Sequence, residues 1–171
     1  ERRLKKMNII EIVKDKIKVE ELIDKVKSPN CGAVSVFIGT TRNTFQDLEV
    51  VTLYYEAYES MAVKAIEVIC TKIRNKWPVI ENIAVSHRLG EVGVTETSVV
   101  IAISSPHRAE SLAAVNFGIE ELKSTVPIWK KEIYKDNVQG KWKENKECAW
   151  HVNEKLDSVK SGVHAAGLKE S

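Results

Sequence analysis

The sequence predicts an α+β domain in which a mixed or antiparallel sheet packs against two long helices. Strand-like and helix-like segments follow one another without a regular strand–helix–strand order. No glycine-rich loop of the kind that binds dinucleotides joins a strand to a helix. Two long segments carry apolar residues at spacings of three and four, which is typical of helices that bury one face. A chain of 171 residues is of a size for one domain with its own core.

The first part of the chain is predicted to hold one short helix and several strands. Segment 19–27 has an apolar helical face formed by Val19, Leu22, Ile23 and Val26. Residues 40–47 are polar and are predicted to form a loop. The strands are predicted from runs of β-branched and aromatic residues at 7–15, 31–39 and 48–58.

Two long helices are predicted further along the chain. The first covers residues 59–77 and ends before Pro78, and its buried face is formed by Ala62, Ile66, Ile69, Ile73 and Trp77. The second covers residues 106–125, with Ser105 as its N-cap and Pro106 as its first helical residue. The side chains expected to face inward from this second helix are Leu112, Val115, Ile119 and Leu122.

The later strands complete the predicted sheet. Residues 80–90 and 97–105 are predicted to be strands joined by the glycine-bearing turn "GEVGVTE". The segment "VPIWKKEIY" is predicted to be a strand or an extended segment, and residues 140–151 a short closing strand or loop. Small and polar residues dominate thereafter, so we expect a single domain over residues 1–151 and a flexible tail over residues 152–171.

Charge and cysteine content argue against several classes of protein. A formal net charge of +2 is too small for a surface that coats nucleic acid. Three cysteines without C-x-x-C or Cys/His spacing argue against a disulfide framework and against a zinc site. No apolar run reaches the length of a membrane span, and no signal-peptide core is present. We therefore expect a cytosolic protein with free thiols that binds neither nucleic acid nor membrane.

A histidine and an arginine stand at the predicted start of the second long helix. A helix N-terminus already carries partial positive charge, so anions are favoured there by about 0.3–1 kcal/mol and cations are disfavoured. His107 and Arg108 would therefore suit a bound anion such as a phosphate, held together with free backbone N–H groups. The alternative is an ion pair between Arg108 and Glu110 or another carboxylate, with His107 an ordinary surface residue. The sequence alone leaves both open.

Further cations occur near the ends of other predicted elements. Arg42 in "GTTRN" offers a planar fork to an anion, although a solvated arginine in a turn is the alternative. Lys123 lies near the C-terminus of a helix, where a cation complements the helix dipole. Alternation puts Lys130 and Lys131 on opposite faces of the late strand, so one of them is expected to face a pocket, with Glu132 as a candidate partner. The alternative is a solvated lysine face.

The remaining candidates are weaker. His87 and Arg88 form a second His-Arg pair at the end of a strand, where a structural role beside the turn is favoured over catalysis. No pattern indicates a serine triad, a metal cage or an activated cysteine. The candidate sites share one property, because each offers cations to an anion.

The motifs in their order along the chain resemble a known family. These are "CGAVSVFIGTTRN", "LYYEAYESMA", "IAVSHRLGEV", "SSPHRAESL", "LKSTVPIWKKEIY" and "W…NKECAW". Together they resemble the large, catalytic subunit of molybdopterin synthase over about residues 30–150. The "NKECAW" ending resembles the eukaryotic branch of that family.

The resemblance implies an α+β fold and a homodimeric core that becomes a heterotetramer when a small ubiquitin-like subunit docks on each protomer. That subunit ends in Gly-Gly with a terminal thiocarboxylate, which enters a pocket on the large subunit. The substrate is a cyclic pyranopterin monophosphate, precursor Z. Two sulfur transfers give the dithiolene of molybdopterin, with no metal or other cofactor required.

The resemblance also implies roles for individual residues. Lys123 matches the essential catalytic lysine of the family, and Lys130 matches a second functional lysine. The residues that match substrate contacts are Arg42, His107, Arg108, Lys123, Lys130, Lys131 and Glu132. We hypothesise that Lys123 stabilises a developing oxyanion or exchanges protons at the substrate carbon. The alternatives are a non-enzymatic phosphate- or nucleotide-binding adaptor that docks a ubiquitin-like protein, and an inactive scaffold.

Overall fold

The computed structural model of the chain describes residues 6–45, 47–135 and 139–143. The predicted boundary at residue 151, the tail at 152–171 and most of the predicted closing segment lie outside these ranges, so the domain division stays a prediction. The elements in chain order are β1 (Asn8–Val13), α1 (Val19–Val26), β2 (Ala33–Thr40), β3 (Thr44–Phe45), β4 (Leu48–Ala57), α2 (Glu59–Lys76), β5 (Ile83–Arg88), β6 (Gly90–Gly93), β7 (Thr97–Ser105), α3 (Arg108–Thr125), β8 (Ile128–Tyr134) and β9 (Gln139–Lys143).

A four-stranded sheet forms the centre of the fold, in the order β1-β5-β7-β2. β1 and β5 are parallel, whereas β5, β7 and β2 pair antiparallel. The strand β7 is buried along almost its whole length, because both of its faces are covered. Helices α2 and α3 pack on one face, and α1 packs on the other through Leu22 and Val26. The predicted α+β class, with a mixed sheet against two long helices, is confirmed.

The two long helices bury the apolar face that their spacing predicts, with one exception. In α2 the predicted Ala62, Ile66, Ile69 and Ile73 are all buried, and Trp77 just beyond it is partly buried. In α3 Val115, Ile119 and Leu122 are buried, but Leu112 is 58% exposed, so that part of the prediction was wrong. The inward face instead passes through small residues, Ser111, Ala114 and Gly118. They allow α3 to lie close to the sheet: a Cβ at Gly118 would stand 3.6 Å from side-chain atoms of Ile73 and Ile101.

A second sheet is built around the ten-residue strand β4. Its order is β3-β4-β8-β9, and β6 also pairs with β4. Two predictions were therefore wrong in part. The predicted loop 40–47 contains β3, and the predicted turn between β5 and β7 contains β6. Both segments are short and polar, and they become strands because β4 offers them an edge to pair with.

The start of α3 differs from the prediction by two residues. His107 is the N-cap, with φ −127° and ψ 152°, and Arg108 is the first helical residue. Ser105 is the last residue of β7, and its hydroxyl donates a hydrogen bond to the carbonyl of His107 instead of capping the helix. Pro106 therefore lies in the connection between strand and helix, not in the first turn.

Candidate functional site

A cleft with a volume of about 480 Å³ opens where the two sheets meet the C-terminal end of α3. Its wall is formed by the end of β2, by β4, β5 and β7, by the last turns of α3 and by the start of β8. Among the predicted site residues, Arg42, Lys123 and Lys130 line this cleft. A neighbouring cavity of about 550 Å³ shares Tyr55 with it but is lined by none of the residues to which the family resemblance gives a role.

The three cations of the cleft come from two distant parts of the chain, one at Arg42 and the other at the junction of α3 and β8. Arg42 follows β2, is exposed and makes no ion pair or hydrogen bond with the described part of the chain. Lys123 is in the last turn of α3, where its charge complements the helix dipole. Lys130 is on β8, three residues after Pro127. The carbonyl of Pro127 accepts a hydrogen bond from the Tyr58 N–H, which fixes the turn before the strand. The tertiary structure thus gathers positive charge that the sequence disperses.

Lys130 forms an ion pair with a buried carboxylate. Its Nζ lies 3.9 Å from Oε1 of Glu132, which is 2% exposed. The hydroxyl of Tyr134 donates a hydrogen bond to the other oxygen of the same carboxylate. Of the two neighbouring lysines, Lys130 is the one that lines the cleft, and Glu132 is its ion-pair partner. Glu132 does not line the cavity itself, but its carboxylate holds the ammonium of Lys130, which does.

Lys131 faces the other side of the same sheet. It pairs across the strands with Tyr54 on β4 and with Trp142 on β9, and the rings of these two aromatic residues meet edge to face at 6.3 Å. Lys131 is therefore not part of the cleft in this chain, and its predicted contact with substrate stays a prediction.

His107 and Arg108 lie at the opposite end of α3 from Lys123. Lys123 is sixteen positions after His107, which is about 24 Å along the helix axis. Both His107 and Arg108 are exposed, and the alternative ion pair between Arg108 and Glu110 does not form among the described residues. Within one chain these two residues and the cleft are separate, so one copy alone does not bring all the predicted cations together.

Three polar residues of the cleft were missed by the sequence reasoning or given another role: Tyr55, His87 and Ser98. Burial raises the pKa of Tyr55, and a hydrogen bond with Ser98 partly opposes this shift. Burial lowers the pKa of His87 to about 4. The available signal was a tyrosine and a histidine inside otherwise apolar strands, where a polar side chain needs a partner or a cavity.

The arrangement suits the binding of anions and the stabilisation of developing negative charge. Ammonium and guanidinium groups on the rim donate hydrogen bonds, and the buried wall between them is neutral at pH 7. Among the described residues, no group of three His, Cys, Asp or Glu side chains is placed to hold a metal ion. No helix in the described ranges is long and apolar enough to cross a membrane.

Comparison with known proteins identifies the family. The family described as "MoaE protein" matches residues 12–125, which include Arg42, His107, Arg108 and Lys123. The molybdopterin synthase catalytic subunit of Taeniopygia guttata is 56% identical over 148 residues, 86% of this chain and 94% of that protein. The molybdopterin synthase catalytic subunit 1 of Aedes aegypti is 54% identical over 145 residues, 84% of this chain and 94% of that protein. The chain belongs to the MoaE family of molybdopterin synthase catalytic subunits.

Solved structures support the same membership. Molybdopterin synthase from Staphylococcus aureus superposes with a TM-score of 0.74 at 38% identity, over 78% of this chain and 95% of that one. A complex of subunits 1 and 2 of the molybdopterin-converting factor from Helicobacter pylori shares the fold, with a TM-score of 0.64 at 22% identity over 81% of this chain and 90% of that one. The predicted eukaryotic-type MoaE family, its fold class and its enzyme class, a sulfurtransferase of molybdenum cofactor biosynthesis, are confirmed.

Proposed function

We propose that the cleft is the site at which sulfur passes from the C-terminal thiocarboxylate of a small ubiquitin-like subunit to precursor Z. Two such transfers form the dithiolene of molybdopterin. The observation that carries this proposal is the convergence of Arg42, Lys123 and Lys130 on one cavity of about 480 Å³ in a member of the MoaE family. Both reactants are anions, one a thiocarboxylate and the other a cyclic phosphate, and the cavity offers cations to both.

The nucleophile of this reaction arrives on the partner, so the large subunit needs no nucleophilic side chain. The cysteines in the described part of the chain agree with this division of labour. Cys31 and Cys70 are free thiols, and neither lines the cleft. Cys70 is buried in the core, and burial raises the pKa of its thiol to about 11, so it is not a thiolate at neutral pH. What the cleft supplies is positioning, charge neutralisation and proton transfer.

The two lysines receive different roles from their positions. Lys123 is exposed in the last turn of α3 and lines the cleft, so its ammonium can stabilise an oxyanion that develops at the reacting carbon. Lys130 is held by Glu132 and is suited to bind the C-terminal carbonyl of the partner. Arg42, which also lines the cleft, provides a planar fork for the phosphate or for the partner's tail.

His107 and Arg108 belong to this proposal through a second copy of the chain. Because they lie about 24 Å along α3 from Lys123 in one copy, they reach a cleft only across a homodimer interface. There they would hold substrate phosphate or pterin at the start of the helix, where free N–H groups also point. With one small subunit docked on each protomer the assembly is a heterotetramer, and we place it in the cytosol, where free thiols persist.

Reconstitution tests this function directly. The purified large subunit is mixed with precursor Z and with a small subunit that ends either in a thiocarboxylate or in an ordinary carboxylate, and dithiolene product is measured. We expect product only with the thiocarboxylate, and two thiocarboxylates consumed for each molecule of product. Tight binding of precursor Z without product would contradict the proposal and would favour the adaptor.

A further inference from the structure

His87 is a histidine whose ring is fixed by the backbone next to it. It is 4% exposed and lies on β5 in the wall of the cleft. Its Nδ1 lies 2.9 Å from the carbonyl oxygen of Arg88, and since a carbonyl oxygen only accepts, Nδ1 carries the proton and donates. In the neutral imidazole Nε2 is then a lone-pair acceptor, and this assignment does not depend on any ligand.

The acceptor nitrogen opens to the cleft. No described residue forms a hydrogen bond with Nε2 of His87. Among the described residues, the fully enclosed polar side-chain atoms without a partner are Ser86 Oγ, Arg88 Nε and Glu110 Oε2, and Nε2 is not one of them. A buried ring with one nitrogen bonded to backbone and the other nitrogen accessible from a cavity is arranged to receive a donor from whatever fills that cavity.

The neighbours of His87 keep the ring in this orientation and in the neutral form. Tyr55 packs its ring edge to face against the imidazole, with 5.0 Å between centroids. The Tyr55 hydroxyl is in turn hydrogen-bonded with Ser98, whose own hydroxyl donates to the carbonyl of Gly39. Burial lowers the pKa of His87 to about 4, so the ring carries no charge at neutral pH.

We propose that Nε2 of His87 accepts a hydrogen bond from an N–H or O–H group of the pterin substrate and so sets the orientation of that substrate in the cleft. This inference rests on the proposed function. The lone pair of Nε2 repels a phosphate or a thiocarboxylate, whereas Arg42, Lys123 and Lys130 attract both. A pterin ring carries N–H donors at the end remote from its phosphate. The cleft therefore separates the two ends of the substrate: cations receive the anions, and the neutral imidazole receives the donor.

Two variants of His87 separate the parts of this arrangement. His87→Asn keeps a short amide that can donate to the Arg88 carbonyl but removes the acceptor at the position of Nε2. His87→Gln places an amide oxygen near that position and restores an acceptor that does not take up a proton. Ser86→Ala is the matched control, because Ser86 is a neighbour on the same strand, is fully buried, points to the opposite face and has no hydrogen-bond partner among the described residues.

The readout is the pair of KM values in the reconstituted heterotetramer. For His87→Asn we expect the KM for precursor Z to rise about fivefold to tenfold, the effect of one lost hydrogen bond. The KM for the thiocarboxylated small subunit should stay within twofold or so of wild type. His87→Gln should recover part of the loss, and Ser86→Ala should change neither KM. Unchanged values for precursor Z in His87→Asn, or an equal rise of both KM values, would overturn the proposal.

A measurement on the wild-type protein keeps the proposal testable if the variants fold poorly. Histidine labelled with ¹⁵N is incorporated, and the His87 resonances are assigned. On addition of precursor Z to the wild-type large subunit with its small subunit, the Nε2 resonance should move in the direction of a hydrogen-bonded acceptor, while Nδ1 stays protonated. An Nε2 resonance that does not move at saturating precursor Z overturns the inference.

The two proposals fail in different ways. If wild-type protein forms no dithiolene from thiocarboxylated partner, the proposed function fails. If it forms dithiolene normally while the two His87 tests are negative, only the role of His87 fails.

Discussion

The ammonium of Lys130 lies 3.9 Å from the carboxylate of Glu132, and that carboxylate is almost completely enclosed. Both residues are on β8 two positions apart, so their side chains leave the strand on the same face. The tyrosine two positions further, Tyr134, donates its hydroxyl to the same carboxylate. The strand thus places a buried anion behind an accessible cation, and the cation is held at the cleft by charge as well as by packing.

Replacing Glu132 by Gln should lower kcat strongly and change the thermal stability little. The amide keeps the size of the side chain and still accepts from Tyr134, but Lys130 loses the negative charge 3.9 Å from its ammonium. We expect kcat to fall about tenfold or more, by partial loss of one electrostatic donor, while the melting temperature changes little. Steady-state dithiolene formation and thermal unfolding measure the two effects.

Tyr134→Phe is the matched control for that change. It removes one hydrogen bond to Glu132, which costs about 1 kcal/mol of unfolding free energy, and it leaves the charge pair with Lys130 intact. Its kcat should stay near wild type. A wild-type kcat for Glu132→Gln, measured beside a strongly impaired Lys130→Met, would show that the carboxylate does not position the lysine.

The buried His87 predicts a loss of stability in mild acid. Its pKa is lowered from the ordinary 6.5 to about 4, so between these values the unfolded chain binds a proton that the folded chain does not. The free energy of unfolding therefore rises with pH through this window and falls as pH decreases, by about 3 kcal/mol over the full span. Urea denaturation between pH 7.5 and pH 4.5 should show this slope in wild type and a smaller slope in His87→Asn.

Glu96 supplies an internal reference for the same experiment. Hydrogen bonds from Lys16, from the Gly93 N–H and from Arg88 lower the pKa of its carboxyl to about 2. Its contribution is complete above the ordinary carboxyl pKa and is lost only as pH falls from about 4.5 toward 2. That lower window is common to wild type and variant. Identical slopes of wild type and His87→Asn between pH 6.5 and pH 4.5 would show that His87 is not held neutral in the folded protein.

The separation of His107 and Arg108 from Lys123 predicts complementation between two inactive variants. Lys123→Ala removes the cleft lysine, and Arg108→Ala removes the proposed contribution of the partner copy. When the two variants are mixed, unfolded and refolded together, mixed dimers should contain one site with both residues intact. Random pairing of two such copies gives about one quarter of the wild-type activity.

The comparison for this experiment is each variant refolded alone, which should stay nearly inactive. Size-exclusion chromatography with mass measurement checks that both variants and the mixture are dimeric. A fully dimeric mixture without regained activity would mean that His107 and Arg108 do not complete the cleft of the other copy.

Much of the fold follows from local pattern. The helix α2 is set by a stripe at helical spacing and a following proline, and the buried strand β7 by an uninterrupted apolar run. The features that local pattern did not predict depend on contacts with residues distant in the sequence. The short strand β6 exists because β4 lies beside it, and Leu112 is exposed because α3 turns its small residues toward the sheet. Both features are determined by tertiary packing, which cannot be read from the spacing of residues within one segment.

The candidate site was predictable in part, for a related reason. Charged residues are easily recognised in a sequence, so Arg42, Lys123 and Lys130 could be selected as candidates from the sequence alone. Their meeting in one cleft could not be derived from spacing, and entered through the resemblance to a family. The neutral residues of the cleft wall were harder to predict. His87 and Tyr55 lie inside strands and look like ordinary packing residues until the cavity beside them is known.

The proposed function depends on the action of Lys123 on the reacting atoms inside the cleft. The most direct test is single-turnover dithiolene formation by Lys123→Ala with thiocarboxylated partner and precursor Z. The control is Lys64→Ala, which removes an exposed lysine of α2 outside the cleft. We expect the rate to fall by about 10²–10³ in Lys123→Ala and to stay at the wild-type level in the control. A near wild-type rate for folded, partner-bound Lys123→Ala would contradict the account.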